Sequence, residues 1–422
     1  MARAEVLRCV SAKTPGYPRR RENPTAGEPM TARIHHAELW GKRQAKYDSL
    51  NQNAIDTTQW TELQPTLEYF FFVPKDTTGQ EEYSALPRIT EVFPVNQNGL
   101  KTDRDGLFFD FDRDVLLDRI RTFYGPKGLE SEFKERYKIE DSSSYKILEK
   151  RGKTKFDGGN LRQCLYRPFD VRCLYYAPGI TSRPASAVMR HMLAGKNLAI
   201  LTCRQQANLG FYHALCSKVL TECCAVSLKT KEITSVFPLY LYPDPSHPAG
   251  RTDEYWPAGR DGRRPNLNPE FVKEMEGKLG LNFVSDGCGD LKKTFGPEDV
   301  FHYMYAVFHN PTYRSRYAEF LKIDFPRLPL TSDVKLFVKL CGLGEELVGL
   351  HLLESPALAK SPERYPVKGD DTVARGYPKY VPKDGGRVQI NTKQYFEPVN
   401  EEVWEFHVGG YQVCQKWLKD RR

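Results

Sequence analysis

Residues 166–206 say most about the fold and function of this chain, because they interleave arginines with aromatics, amides and short apolar runs. In and after this segment, short apolar runs such as 198–202 and 236–242 predict brief strands that alternate with helices. Arginine can clamp phosphates or read guanine edges, glutamine can read adenine edges, and tyrosine can stack on a base. The sequence therefore predicts short strands that alternate with helices, and a surface suited to nucleic acid.

Positive charge is concentrated in the same part of the chain. Residues 151–240 contain 13 Lys and Arg against four acids, a net charge of +9, whereas the whole chain carries +8. A locally concentrated positive field attracts polyanions, because each neutralised phosphate releases condensed counterions. The alternative is that several arginines form internal ion pairs, although the four acids of the segment can satisfy only a minority of them. Residues 151–240 are predicted to bind nucleic acid.

Twelve side chains are candidates for contact with DNA. Nine lie in the basic segment: Arg167, Arg172, Tyr175, Tyr176, Arg183, Arg190, Arg204, Gln205 and Gln206. Three belong to an earlier polar loop: Asn98, Lys101 and Arg104. Arg190 is predicted to clamp a phosphate, and Arg204 or Gln205 to read a base edge. Structural roles stay open for each of the twelve. Arg167 and Asp170 can form a salt bridge that fixes the turn, and Tyr175 and Tyr176 can belong to the core.

Composition bounds the class of protein. A chain of 422 residues, 40% hydrophobic and 27% charged, can bury a large core and is expected to form two or three domains. No run approaches the roughly 18 apolar residues of a membrane span, and the N-terminus has no apolar signal-peptide core. A cytoplasmic location is therefore expected. The 10 cysteines form no C-x-x-C pair, which predicts reduced thiols and no metal site.

Local patterns predict several elements. Residues 1–30 are rich in proline and arginine and poor in large apolar residues, which predicts disorder. Residues 32–40 are predicted to form a strand, and residues 67–73, with three successive phenylalanines, a buried strand. Pro297 opens a predicted helix, and the run Gly342-Leu343-Gly344 is predicted to cap one.

Catalytic motifs are missing from the sequence. It contains no Pro-Pro dipeptide, so the Asn/Asp/Ser-Pro-Pro-aromatic element that amino-methyltransferases use on a flipped base cannot be present. Gly152-Lys153-Thr154 imitates the end of a phosphate loop, but Ile147 stands where a Walker A loop needs glycine. A nuclease site that joins Asp244 to Glu276 and Lys278 is disfavoured, because the latter two lie in a helix-like stretch. We expect no catalytic, cofactor-binding or metal-binding residue.

Longer motifs accompany these patterns. In chain order they are Arg33-Ile34-His35, Trp60-Thr61-Glu62-Leu63, Tyr166-Arg167-Pro168-Phe169-Asp170, Val188-Met189-Arg190-His191, Phe237-Pro238-Leu239-Tyr240, Phe301-His302-Tyr303, Pro311-Thr312-Tyr313-Arg314 and Phe320-Leu321-Lys322-Ile323-Asp324-Phe325-Pro326-Arg327. In order and spacing they resemble the C-terminal specificity region of the single-chain Type ISP restriction-modification enzymes. The resemblance runs from about residue 31 to residue 422.

The resemblance implies a larger polypeptide with nuclease, helicase-like ATPase, adenine-N6 methyltransferase and target-recognition domains in that order. This chain looks like the last of these, preceded by the tail of the methyltransferase. Its fold would be an α/β remnant of a methyltransferase fold followed by a mixed α+β target-recognition domain. The implied segments are a disordered 1–30, a methyltransferase tail at 31–125, a connector at 126–160 and the DNA target-recognition (specificity) domain at 161–422.

The implied function is sequence-specific binding of double-stranded DNA as the specificity part of a restriction-modification system, in phage defence. S-adenosylmethionine, ATP and Mg²⁺ would bind only the full family enzyme, so we expect no cofactor and no activity of this chain alone. The alternative is a split adenine-N6 DNA methyltransferase and restriction enzyme. Its catalytic motifs would come from a separate methyltransferase or helicase-nuclease chain.

Overall fold

The computed structural model describes the backbone of residues 3–10 and residues 33–65, 70–126, 128–207, 210–229, 232–243, 255–383 and 385–421. The chain forms two compact units, Met1–Thr78 and Gly79–Arg422. The segment boundaries predicted from the sequence, at residues 30, 125 and 160, separate disordered from ordered chain and one family domain from the next. The division into two compact units does not test them, and they stay a prediction. None of the described helices has the length and apolar character that spanning a membrane requires.

The first unit contains a three-stranded antiparallel sheet in the order β1-β2-β3. Its elements are β1 (Arg3–Val10), β2 (Arg33–Trp40), α1 (Arg43–Gln52) and β3 (Thr61–Leu63). β2 confirms the strand predicted for residues 32–40, and it pairs with β1 along its whole length. β1 lies within residues 1–30, and the disorder predicted for that segment stays a prediction. The other residues of 1–30 lie outside the described residues.

The buried strand predicted for residues 67–73 is wrong for its second half. Phe70 is 53% exposed and Phe72 is 49% exposed, and residues 70–73 belong to no strand. Residues 66–69 lie outside the described part of the chain. A short apolar run fits a buried strand and other structures equally well, because periodicity alone does not supply a pairing partner.

The second unit contains seventeen strands and fourteen helices among its described residues. The strands are β4 (Gln97–Asn98), β5 (Phe109–Asp110), β6 (Leu161–Arg167), β7 (Asp170–Tyr175), β8 (Ala199–Cys203), β9 (Ala214–Ser217), β10 (Leu220–Thr221), β11 (Thr234–Pro238), β12 (Tyr240–Leu241), β13 (Arg264–Pro265), β14 (Asn282–Phe283), β15 (Thr294–Phe295), β16 (Lys379–Val381), β17 (Arg387–Gln389), β18 (Tyr395–Phe396), β19 (His407–Val408) and β20 (Tyr411–Gln412). The helices are α2 (Gln80–Ser84), α3 (Ile89–Val92), α4 (Asp105–Phe108), α5 (Arg113–Tyr124), α6 (Ser131–Tyr137), α7 (Ile147–Lys153), α8 (Ser186–Ala194), α9 (Pro269–Leu279), α10 (Pro297–His309), α11 (Pro311–Arg316), α12 (Ala318–Leu321), α13 (Val334–His351), α14 (Glu401–Trp404) and α15 (Val413–Lys419).

Two four-stranded sheets form the centre of this unit, in the orders β10-β6-β7-β5 and β4-β11-β8-β9. Every pairing in the second sheet is antiparallel. Successive residues of a strand point to opposite faces of its sheet. In β8, Ile200 faces a core that includes α9 to α13, whereas Leu201 faces a core shared with the first sheet. The second sheet is thus covered on both faces, and its loops and strand ends supply its accessible surface.

α10 and α13 pack against each other at a glycine. Pro297 opens α10 as predicted, but Gly342 and Gly344 do not cap a helix, because both lie inside α13. A Cβ atom added at Gly344 would lie 1.9 Å from the carbonyl oxygen of His302, so the glycine permits the close approach of the two helices. Burial lowers the pKa of His302 to about 4, which keeps this core histidine neutral at pH 7.

Candidate nucleic-acid interface

Three loops leave the β4-β11-β8-β9 sheet at the same edge. β11 is antiparallel to both β4 and β8, so β4 and β8 run in the same direction and end at the edge where β11 begins. Ser235 of β11 shows this register, since it pairs with Asn98 on one side and Thr202 on the other. We call the described residues of 98–104, 204–213 and 222–233, together with Arg183, the loop edge.

The structure brings five of the twelve candidate residues together at the loop edge: Asn98, Lys101, Arg183, Arg204 and Gln205. Lys101 and Arg183 exchange both backbone hydrogen bonds at 2.9 Å, which joins the loop of Arg183 to the edge. Arg204 and Gln205 directly follow β8. Because adjacent strands lie about 4.8 Å apart, the ends of β4 and β8 are about 10 Å apart, comparable with the roughly 12 Å width of a major groove.

The charged side chains of the loop edge are partly engaged. The side chain of Arg204 is 69% exposed, and among the described residues only its Nε is held, 3.1 Å from Asp324 Oδ1. Lys101 Nζ lies 2.6 Å from Asp103 Oδ1, and this hydrogen bond raises the pKa of Lys101 above its usual value. Exposed ion pairs are worth about 0–1 kcal/mol. Arg204 can therefore exchange Asp324 for a phosphate or a base edge at small cost.

The guanidinium groups of Arg167 and Arg172 are held by acids of the protein itself. Arg167 Nη1 donates to Glu222 Oε2 at 2.6 Å, so its ion-pair partner is Glu222 and not Asp170, the partner considered in the structural alternative. Arg172 binds Asp170 instead, at 2.6 Å, and also Asp420 at 3.0 Å. Both guanidinium groups serve internal ion pairs, and folding brings in two of the acids, Glu222 and Asp420, from distant parts of the sequence.

Three further candidates are buried. Tyr175 and Tyr176 belong to the core, which is the structural alternative considered for them. The Tyr176 hydroxyl donates to the carbonyl of Pro184 at 2.8 Å. Gln206 is also buried, and its Nε2 donates to the Leu321 carbonyl at 2.7 Å. In this fold the three side chains lie inside the protein, and their DNA contacts, like those of Arg167 and Arg172, stay predictions.

The last two candidates are Arg104, whose side chain turns away from the rest of the loop edge, and Arg190, which lies on α8. The guanidinium of Arg104 donates to the carbonyls of Asp103 at 2.7 Å and Glu140 at 3.0 Å, and its Nε to that of Lys138. Arg104 therefore ties the loop edge to the chain after α6 rather than facing solvent. Arg190 is exposed on α8, and its predicted role as a phosphate clamp stays a prediction.

The net charge of +9 does not form one positive surface. Within the described part of the chain, at least five of the thirteen cations form ion pairs: Lys153, Arg167, Arg172, Arg204 and Lys218. Four partner acids come from outside residues 151–240: Glu149, Asp420, Asp324 and Glu354. A count over a window of sequence misses such partners. The exposed positive charge is therefore smaller than the count predicts.

One group of described residues has the donor atoms for a metal ion. Glu222, Cys223 and Cys224 bring their ligand atoms within 4.8 Å of one another. However, Glu222 Oε2 already accepts from Arg167 and from the backbone N–H of Cys224 at 2.7 Å, and the Cys223 thiol donates to Oε1 at 3.1 Å. A cation would compete with the Arg167 guanidinium. The group fits an internal ion pair better than a metal site.

Glu232 is a buried acid of the loop edge that was not among the candidate residues. It is 0% exposed and lies two residues before β11. Its hydrogen bonds reach Ala207, His213 and Ser227. Nothing in the local sequence distinguishes this glutamate from a solvated one, because its partners come from two different loops.

Three solved structures have a similar fold. The first is a cryoEM structure of a DrdV–DNA complex, with 18% sequence identity and a TM-score of 0.63; the match covers 89% of this chain and 37% of that chain. The second is a nuclease-deletion mutant of the Type ISP restriction-modification enzyme LlaGI in complex with a DNA substrate mimic, with 20% identity and a TM-score of 0.61; the match covers 90% of this chain and 28% of that chain. The third is the ATP-dependent Type ISP restriction-modification enzyme LlaBIII bound to DNA, with 18% identity and a TM-score of 0.58; the match covers 85% of this chain and 23% of that chain. The chain thus spans between 23% and 37% of these structures' lengths.

The mixed α/β fold of this chain is thus similar to the fold of regions of two Type ISP restriction-modification enzymes. Residues 91–422 match the family model of the Type ISP C-terminal specificity domain. The chain therefore belongs to the Type ISP C-terminal specificity domain family, as the motifs of the sequence indicated. No curated protein matches the chain.

Proposed function

We propose that this chain is the DNA target-recognition part of a restriction-modification system, and that its loop edge binds duplex DNA in a sequence-specific way. One observation carries the proposal. Five candidate residues chosen for their DNA-binding chemistry, from three separate segments, come together at one end of a sheet that is buried on both faces. The DNA in the three similar structures supports DNA as the partner.

The exposed residues after β8 have the chemistry of base readers. Arg204 can bind guanine O6 and N7, and Gln205 can bind adenine N6 and N7. Lys101 and Arg183, together with Arg190 on α8, supply charge for phosphates, which fix position but carry no sequence information. Specificity would thus come from the loop after β8, and general affinity from its surroundings.

The remaining family properties are proposals of the same kind. Residues 31–125 would include the tail of a methyltransferase domain. Because this chain has no Pro-Pro motif, it would not methylate DNA alone, and it would bind no S-adenosylmethionine, ATP or Mg²⁺. A split enzyme is the second candidate function, because the chain spans at most 37% of the similar structures. A separate chain would then supply catalysis, and methyl transfer would require both chains.

Binding can be measured by fluorescence anisotropy of the full chain with duplexes selected from a randomised pool. Arg204→Ala and Gln205→Ala are expected to cost about 1–3 kcal/mol on the preferred site and little on a scrambled duplex. Arg190→Ala should weaken binding to both duplexes and reduce the salt slope by about one. Arg316→Ala is the matched control, because Arg316 is likewise exposed and paired with an acid, Glu82.

Two results would contradict the proposal. The first is no binding at low salt, and the second is binding that neither Arg204→Ala nor Gln205→Ala changes. Transfer of a labelled methyl group to DNA by this chain alone would instead support an enzyme.

A further inference from the structure

Two loops of the loop edge converge on the carboxylate of Glu232. Its Oε1 accepts the backbone N–H of Ala207 at 2.5 Å. Its Oε2 accepts hydrogen bonds from the Ser227 hydroxyl and, at 3.1 Å, from His213 Nε2. Ala207 and His213 belong to the loop after β8, and Ser227 belongs to the loop before β11. One side chain therefore ties both loops together.

The turn between β19 and β20 covers this junction. The N–H of Gly409 donates to the Tyr212 carbonyl at 2.7 Å, and the N–H of Gly410 donates to the Val226 carbonyl at 2.9 Å. A Cβ atom added at Gly410 would lie 2.5 Å from Ser227 Oγ and 3.3 Å from Glu232 Oε2. Glycine at this position lets the hairpin close over the carboxylate, so a third segment helps to fix the two loops.

The Glu232 carboxylate is buried and charged, and both of its oxygens accept hydrogen bonds. Burial alone would favour the neutral acid, but hydrogen bonds from Ser227, Ala207 and His213 hold the pKa of Glu232 below its usual value. Burial lowers the pKa of His213, so its ring is neutral at pH 7. Because a carboxylate only accepts, the His213 Nε2 atom carries the proton. A buried network of this kind has one favourable geometry, since any shift leaves donors unpaired.

We propose that Glu232 is a positioning residue for DNA readout, an inference that rests on the function proposed above. Arg204 and Gln205 are exposed and lie within three residues of Ala207, the residue whose backbone Glu232 holds. A loop that is ordered in advance loses less freedom when it binds, so its base contacts keep their specificity. Phosphate attraction depends on charge rather than on this geometry. Loosening the network should therefore reduce sequence preference more than general affinity.

The test compares the full unaltered chain with Glu232→Gln and Ser227→Ala, using the preferred and scrambled duplexes. Glutamine keeps the size of the side chain but points an NH₂ donor at other donors. We expect Glu232→Gln to lower the ratio of the two affinities about tenfold, with scrambled-duplex affinity and its salt slope unchanged. Ser227→Ala should lower the ratio less. Glu132→Gln, at an exposed glutamate of α6, is the matched control and should leave it unchanged.

Thermal unfolding reports whether each variant folds, and hydrogen exchange reports the order of residues 204–207 and 226–229. If Glu232→Gln is folded and keeps the full preference, or loses both affinities equally, the positioning role is overturned. If it does not fold, Ser227→Ala decides by the same criterion. An unaltered chain without sequence preference would overturn the proposed function rather than the positioning role.

Discussion

The Arg167 guanidinium lies between an opposite charge and an aromatic ring. Its Nη1 is 2.6 Å from Glu222 Oε2, and its central carbon is 3.8 Å from the centre of the Tyr166 ring. Burial alone would favour loss of its charge, but the Glu222 carboxylate raises the pKa of Arg167 above its usual value. A buried pair of this kind is weak evidence of net stabilisation, yet removing one partner leaves the other charge uncompensated.

Replacing Arg167 should therefore affect folding. Arg167→Met is expected to lower the free energy of unfolding by about 3–5 kcal/mol, and adding Glu222→Met should restore much of the loss, because no unpaired charge then remains. Urea unfolding measures both. Arg316→Ala, which breaks the exposed pair with Glu82, should cost less than about 1 kcal/mol. If Arg167→Met weakened DNA binding without changing stability, the internal role of Arg167 would be wrong.

Helices α10 and α13 show how one glycine sets the distance between two elements. The Cα of Gly344 faces the backbone of His302, where a Cβ atom would approach the carbonyl oxygen to 1.9 Å. Gly342 lies two residues earlier in the same helix, is exposed, and has nothing within 4 Å of an added Cβ atom. The two glycines lie in the same helix but have opposite packing requirements.

Alanine at these two positions should therefore act in opposite directions. Gly344→Ala is expected to lower the free energy of unfolding by about 1–3 kcal/mol, because the helices must separate. Gly342→Ala should raise it by about 0.5–1 kcal/mol, since alanine favours an exposed helical position over glycine. The midpoint of urea unfolding gives both values. A Gly344→Ala variant as stable as the unaltered chain would mean that the two helices do not pack closely at Gly344.

Over the whole molecule, local pattern predicts elements better than it predicts their neighbours. The strand at 32–40 and the helix at Pro297 are visible in the sequence because their signals are contiguous. The pairing that brings Asn98 and Arg204 to the same edge is not visible in the sequence, because it depends on β11 lying between β4 and β8. Nor could the sequence separate the exposed Arg204 from the buried Arg167, since burial by distant segments of the chain leaves no local pattern.

The second compact unit begins before the family match. The unit starts at Gly79, whereas the match starts at residue 91. Between them, Tyr83 is buried, with its ring 4.7 Å from that of Tyr317. Ile89 is also buried, and its N–H donates to the Pro326 carbonyl at 3.0 Å. These residues complete the core of the unit, although they lie outside the matched range.

Two fragments test where the folding unit begins. Residues 79–422 should fold cooperatively and keep the DNA preference of the full chain, because the unit carries its own cores and the whole loop edge. Residues 91–422 should be less stable by about 4 kcal/mol or more, since they lose the buried side chains of Tyr83 and Ile89. Circular dichroism during urea unfolding gives the stabilities, and anisotropy gives the DNA preference. Equal stability of the two fragments would show that residues 79–90 do not belong to the core. Loss of the DNA preference in a folded 79–422 fragment would show that readout needs the first unit as well.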